Sequence, residues 1–105
     1  MLAISGDTVA CEGLDRLAQG ADCLVQCCYF AEAEITTPAA KRSAQYIIAS
    51  SKQAGEIAAR NQVKKLVLTH FRPKSAELMQ SILVDVRAVY PGESILGEDL
   101  LMVEV

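Results

Sequence analysis

Three short apolar runs, each followed by turn-forming residues and then by sequence of helical periodicity, constrain the fold of this chain more than any other feature. Leu2-Ala3-Ile4 leads into Ser5-Gly6-Asp7-Thr8, and Lys65 to Thr69 leads into His70-Phe71-Arg72-Pro73. Between them, Asp22 to Phe30 forms a third run. All three read as buried strands. The segments that follow them carry helix signals. Thr8 is placed to cap a helix with Ala10, Cys11, Leu14 and Leu17 at helical spacing and Gly20 as its stop. Ala31 to Ala40 reads as a loop, and Ser43 to Ala49 holds a helical turn or two. Ser50 and Gln53 form a capping-box pattern ahead of the stripe Ala54, Ile57 and Ala58, which ends near Asn61-Gln62. Ser75 opens the longest amphipathic helix, with Leu78, Met79, Ile82, Leu83, Val86, Val89 and Tyr90 on one face and Pro91-Gly92 behind it. Strand–helix units in series predict an α/β fold with a mostly parallel sheet and right-handed crossovers. Ser94-Ile95-Leu96 and Leu101 to Val105, around the Gly97-Glu98-Asp99 turn, predict an antiparallel edge pair.

The 105 residues amount to one domain, 1–105, with no repeat or linker. A hydrophobic share of 51% excludes disorder, and an aromatic share of 5% makes the core aliphatic. The net charge of −3 argues against an electrostatic nucleic-acid binder. Lys41-Arg42, Lys64-Lys65 and Arg72/Lys74 read as solvated surface. Cys11, Cys23, Cys27 and Cys28 include no CxxC pair, so they read as reduced thiols of a cytoplasmic protein. Met1 runs straight into strand-like sequence without a basic leader, and no apolar run approaches the ~20 residues that span a bilayer. The expectation is a soluble chain with no membrane partner.

Two potential metal ligands follow strands. Asp7 and His70 lie just behind the first and third runs, and parallel strands would bring both to one end of the sheet, where α/β ligands collect. His70 is the single histidine in the chain. Zn²⁺, Mn²⁺ and Fe²⁺ accept such an Asp/His mixture. A helix starting at Thr8 would favour ionised Asp7. Cys27, Cys28 or Glu32 are the available third donors. Arg72 either orients an anionic substrate or is surface charge, and Tyr29-Phe30 reads as core or rim packing. Ser5-Gly6-Asp7-Thr8 has neither the glycines of a dinucleotide fingerprint nor the Gly-Lys-Ser/Thr of a P-loop.

In order, Gly6-Asp7-Thr8, Leu17 to Val25, Gln53 to Arg60, Leu66 to Pro73 and the Tyr90-Pro91-Gly92-Glu93 … Gly97 to Leu100 ending resemble the C-terminal half of metal-dependent hydrolases of the metallo-β-lactamase fold. The likeness is to the ribonuclease Z and arylsulfatase-like branch. It implies half of an αββα sandwich with helices on one sheet face. Asp7 then matches the carboxylate bridging two metal ions, zinc or manganese or iron, and His70 the last histidine ligand of the second. Hydrolysis of phosphoester, sulfate ester or related bonds is the implied activity. The family's HxHxDH motif lies in an N-terminal half that this sequence does not contain. Gln26-Cys27 stand where relatives often carry His-Glu, and Ile48 where they often carry a histidine. The expectation is a partial domain with no catalytic residue of its own, inactive alone and completed by the missing half. A lone half would leave one sheet face uncovered, so the alternative is a non-catalytic, self-associating module, a homodimer.

Overall fold

A computed structural model describes residues 1–97 of the chain. Four strands, β1 (Leu2–Ile4), β2 (Cys23–Cys27), β3 (Lys65–Thr69) and β4 (Glu93–Leu96), form one sheet in chain order with every neighbouring pair parallel. The helices are α1 (Glu12–Ala18), α2 (Pro38–Tyr46), α3 (Ser51–Arg60) and α4 (Ala76–Arg87), with a 3₁₀ turn at Glu32–Glu34. Ser94 to Leu96 belongs to a strand as expected, but one paired parallel to β3. The expected antiparallel partner, 101–105, lies outside the described residues.

The pleat separates two faces. Ala3, Leu24, Leu66 and Leu68 point into a core closed by Leu14 and Ala18 of α1, Ala54, Ile57 and Ala58 of α3, and Ile82 and Val86 of α4. On the opposite face lie Leu2, Ile4, Val25, Val67 and Ile95; Leu2 is 50% and Ile4 61% exposed. On this second face the exposure is greatest along β1, while Val67 and Cys23 towards the sheet centre are buried. Among the described residues the helices of the main core gather on the first face, whereas parallel sheets normally bury both.

Two helix starts differ from expectation. α1 begins at Glu12, with Cys11 at the N-cap and no side-chain cap, because the Thr8 carbonyl accepts from Ala49 N at 2.8 Å and holds this stretch outside the helix. Asp7 is therefore not at a helix N-terminus. α3 does begin after Ser50, but Ser50 makes no cap. Its hydroxyl donates to Glu32 Oε1 at 2.5 Å, and the same carboxylate oxygen accepts from Lys52 N at 2.9 Å. Gln53 donates instead to the Ala44 carbonyl. The distant Glu32 thus does the work assigned to a local box, and its charge suits the positive helix end. α2 is a full helix from Pro38, where Thr37 Oγ1 accepts from Ala40 N and proline occupies the first turn.

α3 and α4 meet at Gly55, where an added Cβ would lie 2.7 Å from Val89 Cγ2 and 3.2 Å from Val86 Cα. The Val86 backbone cannot yield cheaply. Gly55→Ala gains about 1 kcal/mol in helix propensity but overpacks this seam, which costs ~1–3 kcal/mol. The expected outcome is a lower urea midpoint than wild type; an unchanged or higher midpoint would show that the seam is loose.

Candidate metal centre

The sheet register builds the site. Cys27 pairs with Thr69 across β2 and β3, and Ser5 N donates to Val25 O at 2.9 Å, extending the β1 side. Ser5 Oγ accepts from Cys27 N at 3.1 Å. The residues just past three adjacent strand ends are thereby drawn together. Asp7 and His70 meet, with His70 Nδ1 donating to Asp7 Oδ1 over 2.9 Å. The Cys27 thiol joins them, the donor atoms of all three residues lying within 4.8 Å of one another.

His70 adopts φ +60°, a left-handed backbone that histidine tolerates better than most non-glycine residues. It turns the chain directly after β3 and aims the imidazole back over the strand ends. Tyr29 packs edge-on against it with ring centroids 5.8 Å apart. A cavity of about 270 Å³ opens beside the pair, lined by Asp7, Tyr29, Ser43, Ile47, Ile48 and His70. Ile48 is therefore at the site, presenting an apolar wall. Asp7 and His70 keep roughly half of their side chains exposed.

The remaining candidates sit elsewhere. Alternation along β2 sends Gln26 to the helix-covered face, fully buried, and Cys27 to the opposite one. Cys28 is also fully buried, and burial pushes its thiol up to about 12. A thiol so protonated, in the core, is no donor to this site. Glu32 is engaged with Ser50 and Lys52. Thr8 donates to the Val9 carbonyl. Arg72 reaches Glu34 at 3.1 Å and lines a separate cavity of about 530 Å³.

A charged clamp holds the His70 loop. Lys74 is not solvated surface: its side chain is 1% exposed, and Nζ donates to the Tyr29 carbonyl at 3.0 Å, the Arg72 carbonyl at 2.5 Å and Glu34 at 3.2 Å. This ties the loop after β3 to the loop after β2. Burial pushes the Glu34 carboxyl up, but the Ala31 N–H, Arg72 and Lys74 together hold it below its ordinary 4.5. No periodicity marks either residue, which is why sequence reasoning missed them. Tyr29 was legible only as packing.

The donor set, a carboxylate, an imidazole and a thiol, suits a borderline divalent ion. No protein-family model matches the chain. It is 38% identical over 89 residues to ribonuclease Z of Exiguobacterium sibiricum, covering 85% of this chain and 28% of that protein. Ribonuclease Z of Thermobifida fusca is 37% identical over 100 residues, covering 94% and 30%. The chain thus spans under a third of these relatives' length. The crystal structure of the metallo-β-lactamase fold protein YhfI from Bacillus subtilis superposes with a TM-score of 0.74 at 18% identity, over 92% of this chain and 36% of that one. The expected fold and branch are both met.

Because the Glu34 carboxyl is depressed, its contribution to stability is present above pH 4.5 and is lost as pH falls through the lowered value. Glu34→Gln should flatten that acid limb in urea melts run across pH. At neutral pH it should cost about 2–3 kcal/mol, less than the ~3–5 of an uncompensated buried charge, since two carbonyls still accept from Lys74.

Proposed function

We propose that this segment of the metallo-β-lactamase fold, of the ribonuclease Z branch, supplies the C-terminal side of a metal-dependent hydrolytic centre acting on phosphoester bonds. Sulfate esters and related bonds are the alternative substrates. The observation that carries the reading is the Asp7 carboxylate held against the His70 imidazole by three adjacent strand ends. Asp7 and His70 are the metal ligands, and zinc is the ion we favour over manganese or iron. A bound divalent ion supplies Lewis acidity toward an ester oxygen. The chain's own part is to position two donors on a rigid sheet and to wall one side with Ile48 and Tyr29.

Further histidine ligands would come from residues not among these 105, which contain one histidine. A catalytic zinc needs three protein ligands and an open position, and a dinuclear centre needs more donors than Asp7 and His70. In this reading the isolated chain is cytoplasmic, with reduced thiols, and hydrolytically inactive. Among the described residues no helix is long and apolar enough to cross a membrane.

A second reading rests on the β1 side of the second sheet face, where Leu2 and Ile4 stand exposed beside half-buried Val25. In the hydrolase reading that face receives the other half of the fold. For the chain alone it is the surface on which two copies pair as a homodimer. Light scattering at micromolar concentration should then give twice the chain mass, and Ile4→Asp should return a folded monomer. A wild-type monomer with no tendency to associate would end this second reading.

The hydrolase reading is tested in a chimera in which this chain replaces the matching C-terminal segment of Thermobifida fusca ribonuclease Z. Hydrolysis of bis(p-nitrophenyl) phosphate should appear in the chimera and be absent from the chain alone. Asp7→Ala and His70→Ala should each lower it by at least about 100-fold, the upper range for loss of even an outer-shell metal partner. Activity indifferent to both substitutions would sink the assignment.

A further inference from the structure

Three donors, not two, converge past the strand ends, and the third is a sulfur. We propose that Cys27 is a metal ligand, completing with Asp7 and His70 a three-donor site that holds one thiophilic divalent ion within this chain alone. This rests on the proposal above that Asp7 and His70 bind metal, and adds to it a donor and a metal preference.

The geometry carries the inference. The sulfur, carboxylate and imidazole donors lie within 4.8 Å of one another. Donors around a tetrahedral zinc with ordinary bond lengths are separated by about 3.3–3.6 Å. Closing that difference takes rotation of the exposed Asp7 and His70 side chains, with no change in the sheet. Cys27 is the β2 end residue on the second face, and its backbone is fixed by Ser5 and by the Thr69 register. Its backbone is therefore anchored beside the site. Neighbouring parallel strands stand about 4.8 Å apart, so a residue paired with Thr69 is next to His70 by construction. The alternative donors are excluded by position: Cys28 lies in the core, and Glu32 is engaged with α3.

A thiol that coordinates a divalent cation is deprotonated. The ligand set then carries two negative charges, which formally neutralise a divalent ion. A soft thiolate selects Zn²⁺ or Co²⁺ over the hard Mg²⁺ and Mn²⁺ that an all-oxygen and imidazole set would also take.

The test is a Co²⁺ titration of the 105-residue protein, kept reduced with a non-chelating phosphine, followed by absorption. The expected result is a near-ultraviolet thiolate-to-cobalt charge-transfer band that saturates near one ion per chain. It should vanish in Cys27→Ser, with far-ultraviolet circular dichroism unchanged, and persist in Cys11→Ser and Cys23→Ser. Zn²⁺ should displace it, whereas excess Mg²⁺ should not. Asp7→Ala and His70→Ala should each weaken Co²⁺ binding at least about tenfold. Cobalt uptake that depends on Asp7 and His70 but shows no such band overturns the Cys27 assignment and leaves the two-ligand reading standing. So does a band that survives Cys27→Ser, or one displaced by Mg²⁺. No uptake at all overturns the self-sufficient site, and the chimera then decides separately whether Asp7 and His70 are ligands.

Discussion

The backbone pairing of β2 with β3 is the constraint on which the rest of this structure depends. Leu24 to Cys27 runs in register with Leu66 to Thr69, and Cys28 N donates to the Thr69 carbonyl at 2.8 Å. That single register decides two things at once. It sets Leu24 beside Leu66 and Gln26 beside Leu68 on the face the helices cover, and it sets Cys27 beside the turn that presents His70. A slip of one residue would exchange the faces of every side chain on the strand. Core and site are therefore specified by the same hydrogen bonds, and a register slip would disrupt both.

Around that sheet, buried polar clamps order what regular structure leaves loose. Glu32 closes the start of α3, while Asp85 on α4 accepts from Ser51 Oγ at 2.7 Å and from Glu32 N at 3.1 Å. Glu34 and Lys74 join the loops after β2 and β3. Breaking a buried ion pair by removing one partner is costly, because the remaining charge stays desolvated. These clamps tie helices and loops together over 18 to 53 residues of sequence. They convert the strand-end loops, ordinarily the softest parts of an α/β fold, into a firm rim around Asp7, Cys27 and His70.

The strands, α3, α4 and the two ligand candidates were legible in the sequence, because each rests on a local signal. Period-two and apolar runs mark β2 and β3, a 3.6-residue stripe marks α4, and turn residues behind the strands mark Asp7 and His70. What was not legible is long-range. Thr8 looks like a cap until its carbonyl is seen to accept from Ala49. Ser50 and Gln53 look like a capping box until Glu32 takes the role. Lys74 looks like surface until three acceptors are found around it. In each case a residue's local propensity was overridden by a partner whose position only the folded chain supplies. The choice among Cys27, Cys28 and Glu32 was open for the same reason. It required knowing which way the end of β2 faces.

The left-handed backbone at His70 limits how this centre can change over time. Among L-residues, asparagine, aspartate and histidine enter that conformation most readily, whereas β-branched residues do so only at the cost of strain. All three of the readily accepted residues can donate to a metal. Glycine apart, neutral drift at this position is thus channelled toward side chains that keep a donor at the strand end. Histidine could give way to a carboxylate or an amide without rebuilding the turn. A bend in the main chain acts here as a filter on heritable variation, favouring exchange of one donor for another over its outright loss.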